Sequence, residues 1–249
     1  VSLYSRRFYA RREARVVASA QALVPRLVEL LQPRSVLDVG CANGLWLAAF
    51  RDCGVPVVRG VDGPWVPRDR LRIAPADFRA LDFGRCALPY SLAQQDGRFD
   101  LVMSLELLEH LPAARADALV DAMCALSDTL LVSAAVPHQG GTGHVNEQWP
   151  DHWRERFAAR GFVACDFIRL AHWHDERIAP WYRQNLIGYF RGSVPPTVRE
   201  FALAQAARLV DEPQPLCHPG VFSYKLGKLR ATLRNPVAAG INELKRRWW

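Results

Sequence analysis

The chain has 249 residues, half of them hydrophobic, and a formal net charge of +7, which suits one α/β domain with a sizeable core. No apolar run is long enough to span a membrane, and the basic N-terminus lacks the apolar centre of a signal peptide, so a cytoplasmic protein is expected. The six cysteines, at 41, 53, 86, 124, 165 and 217, form no C-x-x-C pair and read as reduced thiols.

Val16, Val17, Ala20, Leu23, Val24, Leu27, Val28 and Leu31 recur at helical spacing within residues 1–34, and Pro25 is expected to divide them into two helices. Ser35 to Val39 is a buried strand that runs into Gly40-Cys41-Ala42-Asn43-Gly44, and Leu45 to Phe50 is a helix. A strand, a small-residue turn and a helix make a nucleotide site in open α/β sheets. The turn brings backbone close to a ligand, and the helix start offers unpaired N–H donors. A second strand built on Val57, Val58 and Val61 ends at Asp62-Gly63. An acid about twenty residues beyond the turn is placed to accept from ribose hydroxyls, as it would be in a dehydrogenase too. Phe78 to Leu81 reads as a weak third strand followed by Asp82-Phe83, Phe99 to Ser104 as a fourth, and Leu105 to Leu111 as its continuation into a helix. Ala113 to Leu126 is helical, Leu130 to Ala135 a fifth strand, Asp151 to Arg160 a helix ended by Gly161, and Val163 to Ile168 and Asn185 to Phe190 are two more strands. Alternation of this kind predicts a doubly wound, mostly parallel sheet.

The order Asp38-x-Gly40-x-Ala42-x-Gly44 resembles the first motif of class I S-adenosylmethionine-dependent methyltransferases, (D/E)-x-G-x-G-x-G, with Ala42 at the middle glycine. With Asp62, Asp82 and the run from Phe99 to Leu111, the resemblance covers residues 35–136. It implies a seven-stranded Rossmann-like sheet whose last strand is antiparallel. It implies that Asp38, Gly40, Cys41, Ala42 and Gly44 hold the methionine end of the cofactor, Asp62 and Gly63 the ribose, and Asp82 and Phe83 the adenine. Ser104, Leu105 and Glu106 would shape the floor between cofactor and acceptor. Residues 140–162, on to 181–186, are similar to methyltransferases of bacterial polysaccharide and sugar-modifying clusters. Trp149, Trp153, Trp173 and Trp181 fall in this region, and flat aromatic faces suit sugar rings. The glycines at 140, 141 and 143 suggest a mobile loop bringing His144, Asn146 and Glu147 to the mouth, within a substrate region at 137–184.

Glu106-x-x-Glu109-His110 would share one helical face, and with His144 offers ligands for Mg²⁺, Mn²⁺ or Zn²⁺. The pattern resembles the metal-binding residues of ubiquinone-pathway O-methyltransferases and small-RNA 2′-O-methyltransferases. The alternative is metal-free: Glu106 touches cofactor or acceptor, and His144 serves as general base. Residues 221–249 carry +6 of the +7 on an amphipathic pattern ending in Trp248-Trp249. This basic tail, beyond a methyltransferase domain at 1–220, fits an anionic membrane surface, an anionic polymer, or packing on the domain or a second subunit. The near-neutral body argues against a nucleic-acid substrate. The sequence thus points to O-methylation of a sugar hydroxyl on a glycan, glycolipid precursor or nucleotide sugar. Methylation of a non-sugar small molecule such as an antibiotic or quinone-like phenol, and a cofactor-binding module without turnover, are the alternatives.

Overall fold

The computed structural model describes residues 6–87, 97–169, 171–204 and 221. Helix α1 (Arg6–Leu31) precedes β1 (Ser35–Val39), α2 (Leu45–Asp52), β2 (Val57–Asp62), β3 (Phe78–Ala80) and β4 (Leu101–Leu105). Then come α3 (Ala113–Leu126), β5 (Thr129–Ser133), α4 (Pro150–Ala158), β6 (Phe162–Cys165), α5 (Pro180–Asn185), β7 (Ile187–Arg191) and α6 (Pro196–Ala204). The strands form one seven-stranded sheet in the order β3-β2-β1-β4-β5-β7-β6. β1 pairs in parallel with β2 and β4, while β7 runs antiparallel to β5 and β6. This is the Rossmann-like methyltransferase fold.

Both faces of the sheet are buried, so its strands are apolar on both sides. One face packs Leu23, Leu27, Trp46, Phe50, Met103 and Phe190 against α1 and α2. The other packs Leu37, Val102, Val120, Met123 and Phe157 against α3 and α4. Strand order reverses between β1 and β4, and there the chain leaves the sheet in opposite directions. A crevice at the carboxyl ends of the strands follows from that reversal.

Three expectations are corrected. Pro25 does not divide α1, which runs unbroken through it. Pro25 and Gln21, whose carbonyl loses its N–H partner, are both exposed, so water replaces the missing bond while buried Leu23, Val24 and Leu27 anchor the other face. No helix begins after Ser104. β4 instead extends to Leu105, the Glu106 N–H bonds the Ser133 carbonyl at 2.9 Å, and Glu106 turns left-handed at φ 56°. A single 3₁₀ turn, Leu108–His110, follows, so Glu106 and Glu109/His110 share no helical face. Asn185 ends α5 rather than opening β7. The tail at 221–249 lies outside the described residues apart from Val221, which is buried.

Candidate active site

A cavity of about 1490 Å³ lies along the carboxyl ends of the central strands. On one side it is walled by the turn after β1. Gly40 stands at φ 87°, and a Cβ there would come 2.9 Å from Leu107 Cδ2. The conformation and the close approach both require glycine. Gly44, at φ 82°, is the N-cap of α2. Ala42, at the middle glycine of the motif, nevertheless adopts φ 49°. What holds it is Asp62. The Ala42 N–H donates to Asp62 Oδ2 at 2.7 Å, and the Gly63 N–H donates to Oδ1 at 2.5 Å.

Asp38 and Asp62 both line this wall. Asp38 is 2% exposed, and its Oδ1 has no hydrogen-bond partner. Burial first, and then the charge of Asp62, raise the Asp38 carboxyl from 3.8 to about 8. Burial raises Asp62 to about 6 against its two backbone N–H bonds. Cys41 is buried beside them, and burial with both carboxylates pushes its thiol up, which suits packing rather than nucleophilic work. Asp82 and Phe83 line the cavity beyond β3, Asp82 Oδ1 accepting from the Gly84 N–H at 2.9 Å. Leu105 and Glu106 line it too, whereas Gly44, Gly63 and Ser104 stand behind the wall.

The opposite side is built from the 3₁₀ turn and the loop after β5. The backbone carbonyl of Glu109 accepts from the Val145 and Asn146 N–H groups at 2.8 and 3.0 Å. Glu147 accepts from the His138 N–H at 2.8 Å, from the Gly140 N–H, and pairs His144 Nδ1 at 2.8 Å. The glycine-rich loop is therefore tied down at both ends. A carboxylate only accepts, so in the neutral imidazole this contact places the His144 proton on Nδ1 and the lone pair on Nε2. That Nε2 lies 4.0 Å from Glu109 Oε1. Glu109 is fully buried, and no side chain donates a hydrogen bond to either oxygen. Burial first, and then the charge of Glu106, push its carboxyl up against the backbone N–H groups of Glu109 and Ala135. The His110 and His144 rings meet edge to face at 4.7 Å.

Glu109, His110 and His144 present donor atoms within 4.8 Å of one another. Glu106 does not join them. Its Oε1 accepts from Asn185 Nδ2 at 3.0 Å and its Oε2 from Gln139 Nε2 at 3.1 Å. The four-residue metal set expected from the sequence is thus a set of three. Of the four tryptophans in the substrate region, Trp181 lines the cavity, while Trp153 is 3% exposed in the core. Trp46 and Trp65 also line it and were not anticipated. Nor were Asn43 and Trp46 as donors, although Asn43 Nδ2 and Trp46 Nε1 are buried without partners in the same wall. Their signal was an amide and an indole inside an otherwise apolar turn and helix.

Fold and site define the class: an α/β domain with an acid–glycine turn and a ribose-type acid at a topological switch point, as in S-adenosylmethionine-dependent methyltransferases. The profile of a family described as a methyltransferase domain matches residues 9–165, and the chain belongs to that family. Ubiquinone biosynthesis O-methyltransferase of Idiomarina loihiensis is 39% identical over 89 residues, covering 33% of this chain and 34% of that relative. The chain thus matches about a third of the relative's length. Among solved structures, a sugar N-methyltransferase from a Streptoalloteichus species superposes with a TM-score of 0.56 at 17% identity, covering 78% of this chain and 97% of that one. An amino pentose methyltransferase of Micromonospora echinaspora superposes at 0.51 with 19% identity, covering 77% and 99%. At these identities the structural likeness speaks for the fold alone.

Proposed function

We propose that the protein transfers a methyl group from S-adenosylmethionine to a hydroxyl of a sugar in a glycan, glycolipid precursor or nucleotide sugar. The observation that carries the reading is the pairing of two unlike walls in one cavity. One holds buried acids and a strained turn; the other holds a histidine whose Nδ1 is paired with Glu147. The donor set fits the cofactor. Asp38, with a buried unpaired oxygen, suits the α-ammonium group, Asp62 the ribose hydroxyls, and Asp82 with Phe83 the adenine. Bound there, S-adenosylmethionine supplies an activated methyl on a sulfonium. The protein's own share is to hold an acceptor oxygen in line and to take its proton, and positioning of this kind is a large part of such a barrier. His144 Nε2 is the base, oriented by Glu147 through Nδ1. Trp46, Trp65 and Trp181 give the cavity flat aromatic faces suited to a sugar ring.

The match to a ubiquinone biosynthesis O-methyltransferase favours a second reading, methylation of a phenol. The buried Glu109 beside two histidines likewise favours a divalent ion. Glu109, His110 and His144 would hold Mg²⁺ or Mn²⁺, which would act as a Lewis acid on the acceptor oxygen. The test is turnover to S-adenosylhomocysteine with a glycan extract and, in parallel, with catechol-type phenols, each with and without chelator. Sugar methylation by mass spectrometry that survives chelator supports the first reading. Methyl transfer to phenols alone overturns the sugar, and activity lost to chelator and restored by Mg²⁺ or Mn²⁺ assigns the ion.

The basic tail belongs to the same reading as a tether to an anionic membrane surface, which would bring a lipid-linked acceptor to the cavity. No helix among the described residues is long and apolar enough to cross a membrane. Salt-sensitive binding of the full chain, and not of residues 1–220, to vesicles containing anionic lipid supports the tether. Equal binding of both, or none, removes it.

A further inference from the structure

Glu106 carries the least expected geometry in the cavity wall. It is a side-chain-bearing residue at φ 56°, in the left-handed region that favours glycine. Its carboxylate is gripped by two amides from distant segments, Asn185 Nδ2 on Oε1 at 3.0 Å and Gln139 Nε2 on Oε2 at 3.1 Å. The grip is itself supported from behind. Gln139 Oε1 accepts from Gln184 Nε2 and Asn185 Nδ2, both at 2.9 Å, and Gln184 Nε2 also donates to Asn185 Oδ1 at 3.0 Å. Behind that again, the Gln184 carbonyl accepts from Nη1 of the fully buried Arg169 at 3.1 Å, and Arg169 is paired with Asp166. A carboxylate has only acceptors, so both amides must turn their nitrogens to it, and every other bond in the network then falls into place with one orientation per amide.

This arrangement does more than satisfy Glu106. A carboxylate offers about four acceptor sites, and the amides occupy one on each oxygen. Glu106 and Gln139 line the cavity, while Gln184 and Asn185 stand behind them. Among the described residues no arginine or lysine forms an ion pair with Glu106. One acceptor site on each of two adjacent, rigidly held oxygens matches two neighbouring O–H donors on one ligand. Carboxylates at the end of a second strand read ribose diols by the same chemistry.

We propose that Glu106 is a specificity residue that reads a vicinal diol on the acceptor, and that Gln139, Asn185 and Gln184 are positioning residues that aim it. The inference rests on the methyltransferase reading above and adds the acceptor's pattern: the methylated hydroxyl has a hydroxyl neighbour. A sugar diol and a catechol share this chemistry, so the test has two arms. With the full chain saturated by S-adenosylhomocysteine, which fills the cofactor's own diol site, titration calorimetry or ligand-observed NMR compares methyl α-L-rhamnopyranoside with its derivative lacking the middle ring hydroxyl. The other arm compares protocatechuate with meta-hydroxybenzoate.

The diol is expected to bind at least about tenfold more tightly than its control in one arm, which names the source. Glu106→Gln, which keeps shape but turns one of the two acceptor oxygens into an NH₂ donor, should abolish that preference and leave the control's affinity unchanged. Gln139→Met and Asn185→Ala should shrink the preference without changing S-adenosylhomocysteine affinity, and Asn185→Gln should restore part of it. A residue of purely structural importance would lower all affinities together. Failure of the parent to bind S-adenosylhomocysteine would defeat the methyltransferase reading and this proposal with it. Intact S-adenosylhomocysteine binding with no diol preference in either arm, or a preference that survives Glu106→Gln, would overturn this proposal alone.

Discussion

Asp38→Asn should make the cofactor-free protein more stable and its cofactor site worse, and the stability gain should depend on pH. The parent carboxyl titrates at 3.8 when exposed and at about 8 when folded, because it is buried and faces Asp62. Between those values the folded chain keeps a proton that the unfolded chain has released. Stability therefore falls as pH rises through that window and levels off above it. At about 1.36 kcal/mol per pH unit the full penalty is at most roughly 5–6 kcal/mol, of which about 4 accrues between pH 5 and pH 8. Water entering through the cavity screens part of it, so a gain of about 2–3 kcal/mol for the amide at pH 8, and little at pH 5, is expected. For a chain of this size that is a rise in Tm of roughly 4–12 °C. Asp62, raised to about 6, adds a parallel slope below pH 6 in both proteins and cancels from the comparison. Urea unfolding at several pH values, without cofactor, reads the effect. Calorimetry should show S-adenosylhomocysteine affinity down by about tenfold or more, since the amide loses a charged hydrogen bond. Stability curves that run parallel from pH 5 to pH 8 would refute the assignment of a buried, proton-holding Asp38.

Other perturbations separate the remaining roles. Asp62→Ala removes the carboxylate that fixes the turn and should lower S-adenosylhomocysteine affinity at least about tenfold by calorimetry; unchanged affinity would remove Asp62 from the site. Ala42→Gly relieves a left-handed alanine at φ 49° and should stabilise the chain by about 0.5–1 kcal/mol in urea unfolding, whereas a loss would mean the alanine methyl packs productively. His144→Ala should cut turnover by roughly 10²–10⁴ with or without chelator if it is the base, and Glu147→Gln should give a smaller loss by releasing the imidazole. Full activity of His144→Ala in chelator would exclude both the base and the ion. Arg169→Met leaves Asp166 buried without its partner and should cost about 3–5 kcal/mol in unfolding; a loss under 1 kcal/mol would show that the pair is not fully desolvated.

The wall formed by the acid–glycine turn was legible because its information is local. Asp38, the Gly40–Gly44 turn and Asp62 are tied by short spacing to strand ends, and β1 and β2 pair in the register that places Asp62 beside Ala42. On the facing wall the residues Glu106, Glu109, His110 and His144 were legible but their grouping was not, because that wall is assembled from β4, the 3₁₀ turn, the loop after β5 and α5. Glu106-x-x-Glu109-His110 has helical spacing, yet the sheet takes Glu106 first by bonding its N–H to Ser133, and Pro112 delays the helix to Ala113. Once the chain turns left-handed at Glu106, its side chain and that of Glu109 serve different neighbours. The amide clamp spans 79 residues between Glu106 and Asn185, and no periodicity carries such a link. A hint existed: Gln184-Asn185 is a polar pair entering an apolar strand, and buried amides of that kind need partners. Trp153 shows the limit of composition, since only its place on the inner side of α4 assigns it to the core rather than to a ligand face.

The two left-handed residues with side chains in this crevice, Ala42 and Glu106, follow neighbouring strands, β1 and β4, on either side of the switch point. Each spends conformational energy to turn the chain away from the sheet and open the space between. Their strain differs in kind. Ala42 stands where a glycine would serve, and nothing in its methyl is needed for the bond from its N–H to Asp62. At Glu106 a glycine would relax the backbone equally but leave Gln139 Nε2 without its acceptor and Asn185 Nδ2 with Gln139 Oε1 alone. Strain that a substitution at the residue itself can remove is tolerated; strain held in place by two amides, a third amide and a buried arginine is maintained. That contrast is the physical reason to look for the acceptor at Glu106 and for the cofactor at the turn.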